Sequence, residues 1–276
     1  MNRMMANHSN PLVAGTVHFV GAGPGDPELL TVKAYRLLRR ADVILHDDLV
    51  SPEIVSLVGP HAEVLNVGKR CGEKKITQAE INSRMIEAAR RRFEVIRLKS
   101  GDPGIFGRLA EEIEALEAAG IPFEVVPGIT AGIAAASALG ASLTDRRKSS
   151  HIVIVSGHHA ADTDARNSRA DWSSLASDDT TFIVYMPGRE LARLQRELLD
   201  AGLAPDFPAV LVSRVSSPRQ CQWPTTVADL HKIPPLEAPT ILLLGRSILR
   251  AANSAASGLL SAIVEDSDCS RLAILA

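Results

Sequence analysis

Residues able to do acid–base chemistry recur in one kind of place along this chain, directly after short apolar runs. Asp47 and Asp48 follow Val43-Ile44-Leu45-His46, and Lys69 and Arg70 sit inside Gly68-Lys69-Arg70-Cys71-Gly72. Lys99-Ser100-Gly101-Asp102-Pro103 follows Val95-Ile96-Arg97-Leu98, and Pro127-Gly128-Ile129-Thr130-Ala131 follows Val125-Val126. A carboxylate and an ammonium at such points are a candidate base and acid. A glycine beside them lets backbone approach a ligand closely. Basic residues gather at the same points, Arg97, Arg108, Arg146, Arg147 and Lys148 among them. Arginine clamps carboxylates through paired hydrogen bonds, so the set suits a polyanionic small molecule. Each feature also has a plainer reading. Asp47 suits a helix or turn cap, Lys69 a solvated loop, Ser100 to Pro103 a turn, and Thr130 a helix cap. His158 and His159 lack a partner at metal-ligand spacing and read as loop histidines.

The elements that must position these residues alternate. Apolar runs suited to strands end at Gly21, His46, Asn66, Leu98 and Val126, and helical patterns lie between them. The first run leads into Gly21-Ala22-Gly23-Pro24-Gly25-Asp26-Pro27, a turn almost without side chains, and then into a helix predicted over 28–39. The glycine spacing is wrong for a dinucleotide fingerprint, and proline has no N–H to offer a phosphate. The loop reads as a shaped wall. Thr77 to Glu80 forms a capping box that opens a second helix. A third runs over 107–119 and stops at Gly120. Strand patterns resume at Ile152–Val155, Phe182–Tyr185, Val210–Val212 and Ile241–Leu244, with Met186, Val215 and Thr240 at their ends. This alternation predicts an α/β fold of two α/β domains with mixed sheets, residues 16–147 and 148–250. Residues 1–15 and 251–276 read as a disordered and a loose tail.

Composition narrows the function class. The 276 residues are 46% hydrophobic and 22% charged, as in ordinary globular domains. A net charge of −2 and 4% aromatic residues argue against nucleic acid as a partner. No apolar run is long enough to span a membrane, and the N-terminal residues lack the apolar core of a secretory signal. The three cysteines are far apart, which predicts free thiols, no structural metal and a reducing compartment.

Taken as a set, the motifs resemble the tetrapyrrole methylases. The resemblance is carried by Val20 to Pro27 with Leu29-Leu30-Thr31, His46 to Val50, Val67 to Gly72, Gln78 to Asn82, Arg97 to Pro103 and Val126 to Ala131. It covers about 16–248 and points to the branch that methylates uroporphyrinogen III. It implies an active site in the cleft between the two domains, S-adenosylmethionine as methyl donor, S-adenosylhomocysteine as by-product and no metal. The reaction implied is methylation of two pyrrole carbons to give precorrin-2, for sirohaem or cobalamin. By position, Asp47 matches the family's proton acceptor and Lys69 its proton donor. Pro24, Ser100, Gly101, Asp102, Ile105, Thr130, Ala131 and Met186 match its cofactor contacts, as do Val215 and Thr240. Arg97 and Arg146 are expected to meet substrate carboxylates. The resemblance further implies a cytoplasmic homodimer, and a stand-alone methyltransferase, since no counterpart of the dehydrogenase/ferrochelatase half of some members is present. The chain departs from the family pattern at Asp48, Ser100, Asp145 and Pro187. A methyltransferase for a later corrin precursor and a nicotinamide-dependent reductase are the alternatives.

Overall fold

A computed structural model describes residues 15–68, 76–91, 93–157, 170–188 and 191–248. The chain forms two compact units, Met1–Ile129 and Thr130–Ala276. The division falls ahead of the expected boundary at 147/148. The reason is the helix after Thr130, which packs on strands of the second unit. Both predicted tails lie outside the described residues, apart from Gly15.

The first unit runs β1 (Val17–Gly21), a 3-10 turn (Pro27–Leu29), α1 (Val32–Arg40), β2 (Val43–His46), α2 (Pro52–Val55) and β3 (Glu63–Asn66). It continues through α3 (Gln78–Arg90), β4 (Val95–Lys99), α4 (Leu109–Ala118) and β5 (Phe123–Val126). The five strands pair in parallel, in the order β3-β2-β4-β1-β5. Both faces are covered, as a parallel sheet requires. Val17, Phe19, Val43, Leu45 and Val95 pack against Met85 of α3 and Leu116 of α4. Val20, Ile44, Ile96 and Leu98 pack against Leu37 and Leu38 of α1 and Ile54 of α2. Connections leave the neighbouring strands β1 and β4 in opposite directions, to β2 and to β5. That reversal places a switch point at their carboxyl ends, where open α/β sheets bind ligands.

The predicted first helix is broken in two. Asp26 accepts from the Glu28 N–H at 2.8 Å and caps the 3-10 turn. Leu30 is extended, and Thr31 caps α1 by accepting from Ala34 N–H at 3.1 Å. The capping box of Thr77 and Glu80 is formed, and Gly120 has a positive φ of 66° past the end of α4.

The second unit comprises α5 (Ala131–Ala138), β6 (His151–Ser156), α6 (Trp172–Leu175), β7 (Thr180–Tyr185) and α7 (Leu191–Asp200). After these come β8 (Pro208–Ser213), β9 (Cys221–Thr226), 3-10 turns at Val227–Lys232 and Arg246–Ile248, and β10 (Thr240–Leu244) between the turns. The sheet is mixed, in the order β6-β7-β10-β8-β9, with β6 and β7 parallel and the other pairs antiparallel. One face carries Phe182, Val184, Leu211, Leu242 and Leu244 against Trp172, Leu191, Leu194, Leu198 and Leu230. On the other, Gly132 of α5 sits so close to Ile183 that an added Cβ would lie 2.4 Å from its side chain. Strand β9 has no counterpart in the sequence reading. It contains Pro224, which is tolerated because β9 is an edge strand. Cys221 on β9 is disulfide-bonded, which corrects the expectation of free thiols.

Candidate active site

The first unit assembles its site at the carboxyl ends of β1, β4 and β5, where three loops meet backbone to backbone. A Cβ added to Gly21 would lie 2.5 Å from Gly128 N and 2.7 Å from Gly101 O. One added to Gly128 would lie 2.3 Å from Gly101 O. Gly23 and Gly101 exchange backbone hydrogen bonds of 3.1 and 2.8 Å, at φ values of 70° and 67° that favour glycine. Asp102 ties the same loops together. Its Oδ1 accepts from Gly104 N–H at 2.8 Å and its Oδ2 from Gly128 N–H at 3.1 Å. Each oxygen keeps a further lone pair for a ligand donor.

Beside these loops is a cavity of about 260 Å³, bordered by Asp47, Gly68, Arg97, Ser100, Ile105 and Phe106 among others. It therefore joins the candidate base, Asp47, to two candidate cofactor residues, Ser100 and Ile105. Asp47 follows β2 and its side chain is 27% exposed. Gly68 has no room for a side chain, since a Cβ would lie 2.1 Å from Asp48 N. Phe106 and Arg108, both lining the cavity, hold left-handed backbone at φ 52° and 55°. Lys69 lies outside the described residues, as do His158 and His159.

Arg97 borders the cavity from a buried position on β4. Its residue is 3% exposed, because the period of β4 turns it with Val95 toward α3 and α4. Nη2 donates to Asp47 Oδ1 at 2.5 Å and Nε donates to Glu112 Oε1 at 2.9 Å. The guanidinium is thus engaged by two protein carboxylates, while Arg97 also borders the cavity. Burial opposes its charge, but Asp47 and Glu112 more than offset that, so its pKa lies above the usual value. Lys99, buried on the same face, donates to Glu112 Oε2 at 2.7 Å. Burial and then the Arg97 charge push the Lys99 ammonium pKa down. The sequence reading missed Glu112, Phe106 and the role of Lys99. Glu112 sits in a run of helical glutamates that looks like an ordinary solvated face.

In the second unit, parallel β7 and β8 bring their carboxyl ends to one edge, where antiparallel β10 begins. Thr240 pairs with Ser213, and Ile241 with both Val212 and Tyr185. Met186, Val215 and Thr240 thus gather at this edge. Tyr185 adds Thr130 and Ala131. Its hydroxyl lies 2.6 Å from Thr130 Oγ1 and accepts from Gly132 N–H at 2.8 Å. Thr130 stands at the N-cap of α5 but makes no side-chain cap bond, its hydroxyl being turned to Tyr185. Met186 is 45% exposed with φ 48°, and Arg214 and Ser216 are also left-handed, at 49° and 60°. Among the described residues, the five non-glycine residues with positive φ therefore lie in loops that follow β4, β7 or β8. Such strain persists where surrounding structure imposes it, commonly at ligand sites. Arg146 is exposed in a turn closed by backbone bonds between Asp145 and Ser149 of 3.0 and 2.8 Å. Among the described residues no group of three His, Cys, Asp or Glu side chains is placed to hold a metal. None of their helices is long and apolar enough to cross a membrane.

Known proteins match this arrangement. Residues 16–231 fit the family Tetrapyrrole (Corrin/Porphyrin) Methylases. A uroporphyrinogen-III C-methyltransferase of Paracoccus denitrificans is 41% identical over 244 residues, covering 87% of this chain and 84% of that protein. A siroheme synthase of Hahella chejuensis is 43% identical over 84% of this chain, which spans 49% of that longer protein. The uroporphyrin-III C-methyltransferase of Thermus thermophilus in complex with S-adenosylhomocysteine superposes with a TM-score of 0.73. It is 35% identical, over 86% of this chain and 94% of that one. On the strength of its strand-end loops and of these matches, the chain belongs to the tetrapyrrole methylases.

Proposed function

We propose that this protein is an S-adenosylmethionine-dependent C-methyltransferase that methylates two pyrrole carbons of uroporphyrinogen III, giving precorrin-2. The observation that carries the reading is the placement of Asp47 on one cavity with Ser100 and Ile105, its carboxylate held by Arg97. The matches to relatives named for this reaction support it. When bound, S-adenosylmethionine supplies the methyl group on an electrophilic sulfonium. In the first unit Pro24, Ser100, Gly101, Asp102 and Ile105 hold it. The Asp102 carboxylate suits hydroxyl or ammonium donors, and the left-handed Gly101 brings backbone close. The resemblance also assigns cofactor contacts to Thr130, Ala131, Met186, Val215 and Thr240, the Met186 thioether offering a soft apolar contact.

The pyrrole carbon forms the new bond to the methyl as the carbon–sulfur bond breaks, and a proton must then leave the methylated ring. Asp47 accepts that proton and Lys69 donates one where it is returned. Arg146 meets a substrate carboxylate. Alignment of the two reactants supplies roughly 7–11 kcal/mol of barrier lowering, and a placed base adds about 10²–10⁴-fold. The resemblance also supports a homodimer and a cytoplasmic location. The test is turnover of uroporphyrinogen III with S-adenosylmethionine, read by product mass. A gain of two methyl groups is expected. No gain here, with turnover of a later corrin precursor, would overturn the substrate.

A further inference from the structure

Beneath the Asp47 carboxylate lies a charge cluster that the reaction as written does not use. Glu112, in the first turn of α4, is 0% exposed. Its Oε1 accepts from Arg97 Nε at 2.9 Å and from Gln78 Nε2 of α3 at 3.1 Å. Its Oε2 accepts from Lys99 Nζ at 2.7 Å. At the far end of the same guanidinium, Nη2 donates to Asp47 at 2.5 Å, while Nη1 reaches the carbonyls of Leu45 and Leu98 at 3.4 and 3.3 Å. A guanidinium is planar and rigid, so fixing Nε sets the direction of Nη2. Taking such charges out of water costs several kcal/mol per ion, and well-packed apolar residues often serve stability as well or better. Packing therefore gives no reason to bury a carboxylate here. Lys99 faces Glu112. Its ε-carbon packs where Gly107 lacks a side chain, and a Cβ there would lie 2.9 Å away.

We propose that Glu112 is a positioning residue for the methyl transfer. It holds Arg97 in the orientation that aims the guanidinium at Asp47, and Lys99 neutralises its second oxygen. The inference rests on the reading of Asp47 as proton acceptor.

Two double variants with matched charge test it. Glu112→Gln with Lys99→Met keeps an acceptor for Arg97 Nε, whereas Glu112→Leu with Lys99→Met removes it. The leucine pair is expected to lose roughly 10²-fold in kcat, as for a group displaced by about an ångström. Its KM for uroporphyrinogen III and its Kd for S-adenosylhomocysteine stay unchanged. The glutamine pair recovers most of the turnover. Equal kcat in the two pairs, whether high or low, overturns the proposal. Should the leucine pair fail to fold, Glu112→Asp gives the second reading, because it keeps the charge and withdraws the oxygens by one methylene. Reduced kcat with intact cofactor binding supports the proposal, and wild-type kcat overturns it. Asp47→Asn, assayed alongside, separates the two possible failures. Wild-type turnover there withdraws Asp47 itself. A large loss there with equal kcat in the two pairs withdraws Glu112 alone.

Discussion

Arg97 and Asp47 meet at the carboxyl ends of adjacent parallel strands, Nη2 to Oδ1 at 2.5 Å, with the arginine buried and the aspartate open to a cavity. The pair holds a carboxylate in one direction while leaving its outer side accessible. That is the arrangement a proton acceptor needs, because geometry must be set before the proton moves.

Asp47→Asn keeps the shape and removes the base. We expect kcat to fall by about 10²–10⁴-fold. Binding of S-adenosylhomocysteine, measured by calorimetry, should stay at the wild-type value. Unchanged turnover would take Asp47 out of the mechanism.

Gly128→Ala tests the three-loop junction. The new methyl would lie 2.3 Å from Gly101 O, on backbone that cannot swing aside. Overpacking of this kind costs roughly 1–3 kcal/mol. A lower urea midpoint and weaker S-adenosylhomocysteine binding should appear together, since the same loops carry Ser100 to Asp102. Wild-type stability and affinity would mean the loops are looser than described.

Tyr185→Phe removes the hydroxyl shared by Thr130 and the Gly132 N–H. The buried N–H is left without that acceptor, at a cost of about 1–3 kcal/mol in urea unfolding. Affinity for S-adenosylhomocysteine should fall as well, because Thr130 and Ala131 lose their brace. Equal stability in mutant and wild type would contradict this account.

Asp145 provides a pH marker in the second unit. Hydrogen bonds from Arg147, side chain first and then backbone, push its pKa down to about 2. The folded value lies below the ordinary one. The pair's contribution is therefore complete above the ordinary aspartate range, near pKa 3.9, and is lost as pH falls through about 2. An NMR titration should place the Asp145 carboxyl midpoint there, and Arg147→Ala should raise it. A midpoint that ignores the substitution would remove Arg147 as the cause.

Much of the fold was legible because local chemistry and global packing agree. The Thr77–Glu80 box, the stop at Gly120 and the glycine loop after β1 each have a mechanism visible in the residues alone. Asp47 and Ser100 were readable as strand-end residues and Ile105 from the resemblance, and the cavity joins them. Arg97 was not readable in its actual role. Val95-Ile96-Arg97-Leu98-Lys99 alternates as a half-exposed strand would, which puts both cations in solvent. A parallel sheet covered on both faces buries them instead, and their partner Glu112 lies on the next helix, α4, 15 and 13 residues further along the chain. The left-handed backbone at Phe106 and Met186 was equally hidden, because neither residue type prefers it. Strand β9 escaped because a strand reading is demoted by an internal proline.

The most direct test of the account is a crystal structure with S-adenosylhomocysteine bound. We predict the ligand against Pro24, the Ser100 to Asp102 loop and Ile105, with the Asp47 carboxylate opening on the same cavity. A ligand lodged away from those loops, in a protein that still methylates uroporphyrinogen III, would contradict it.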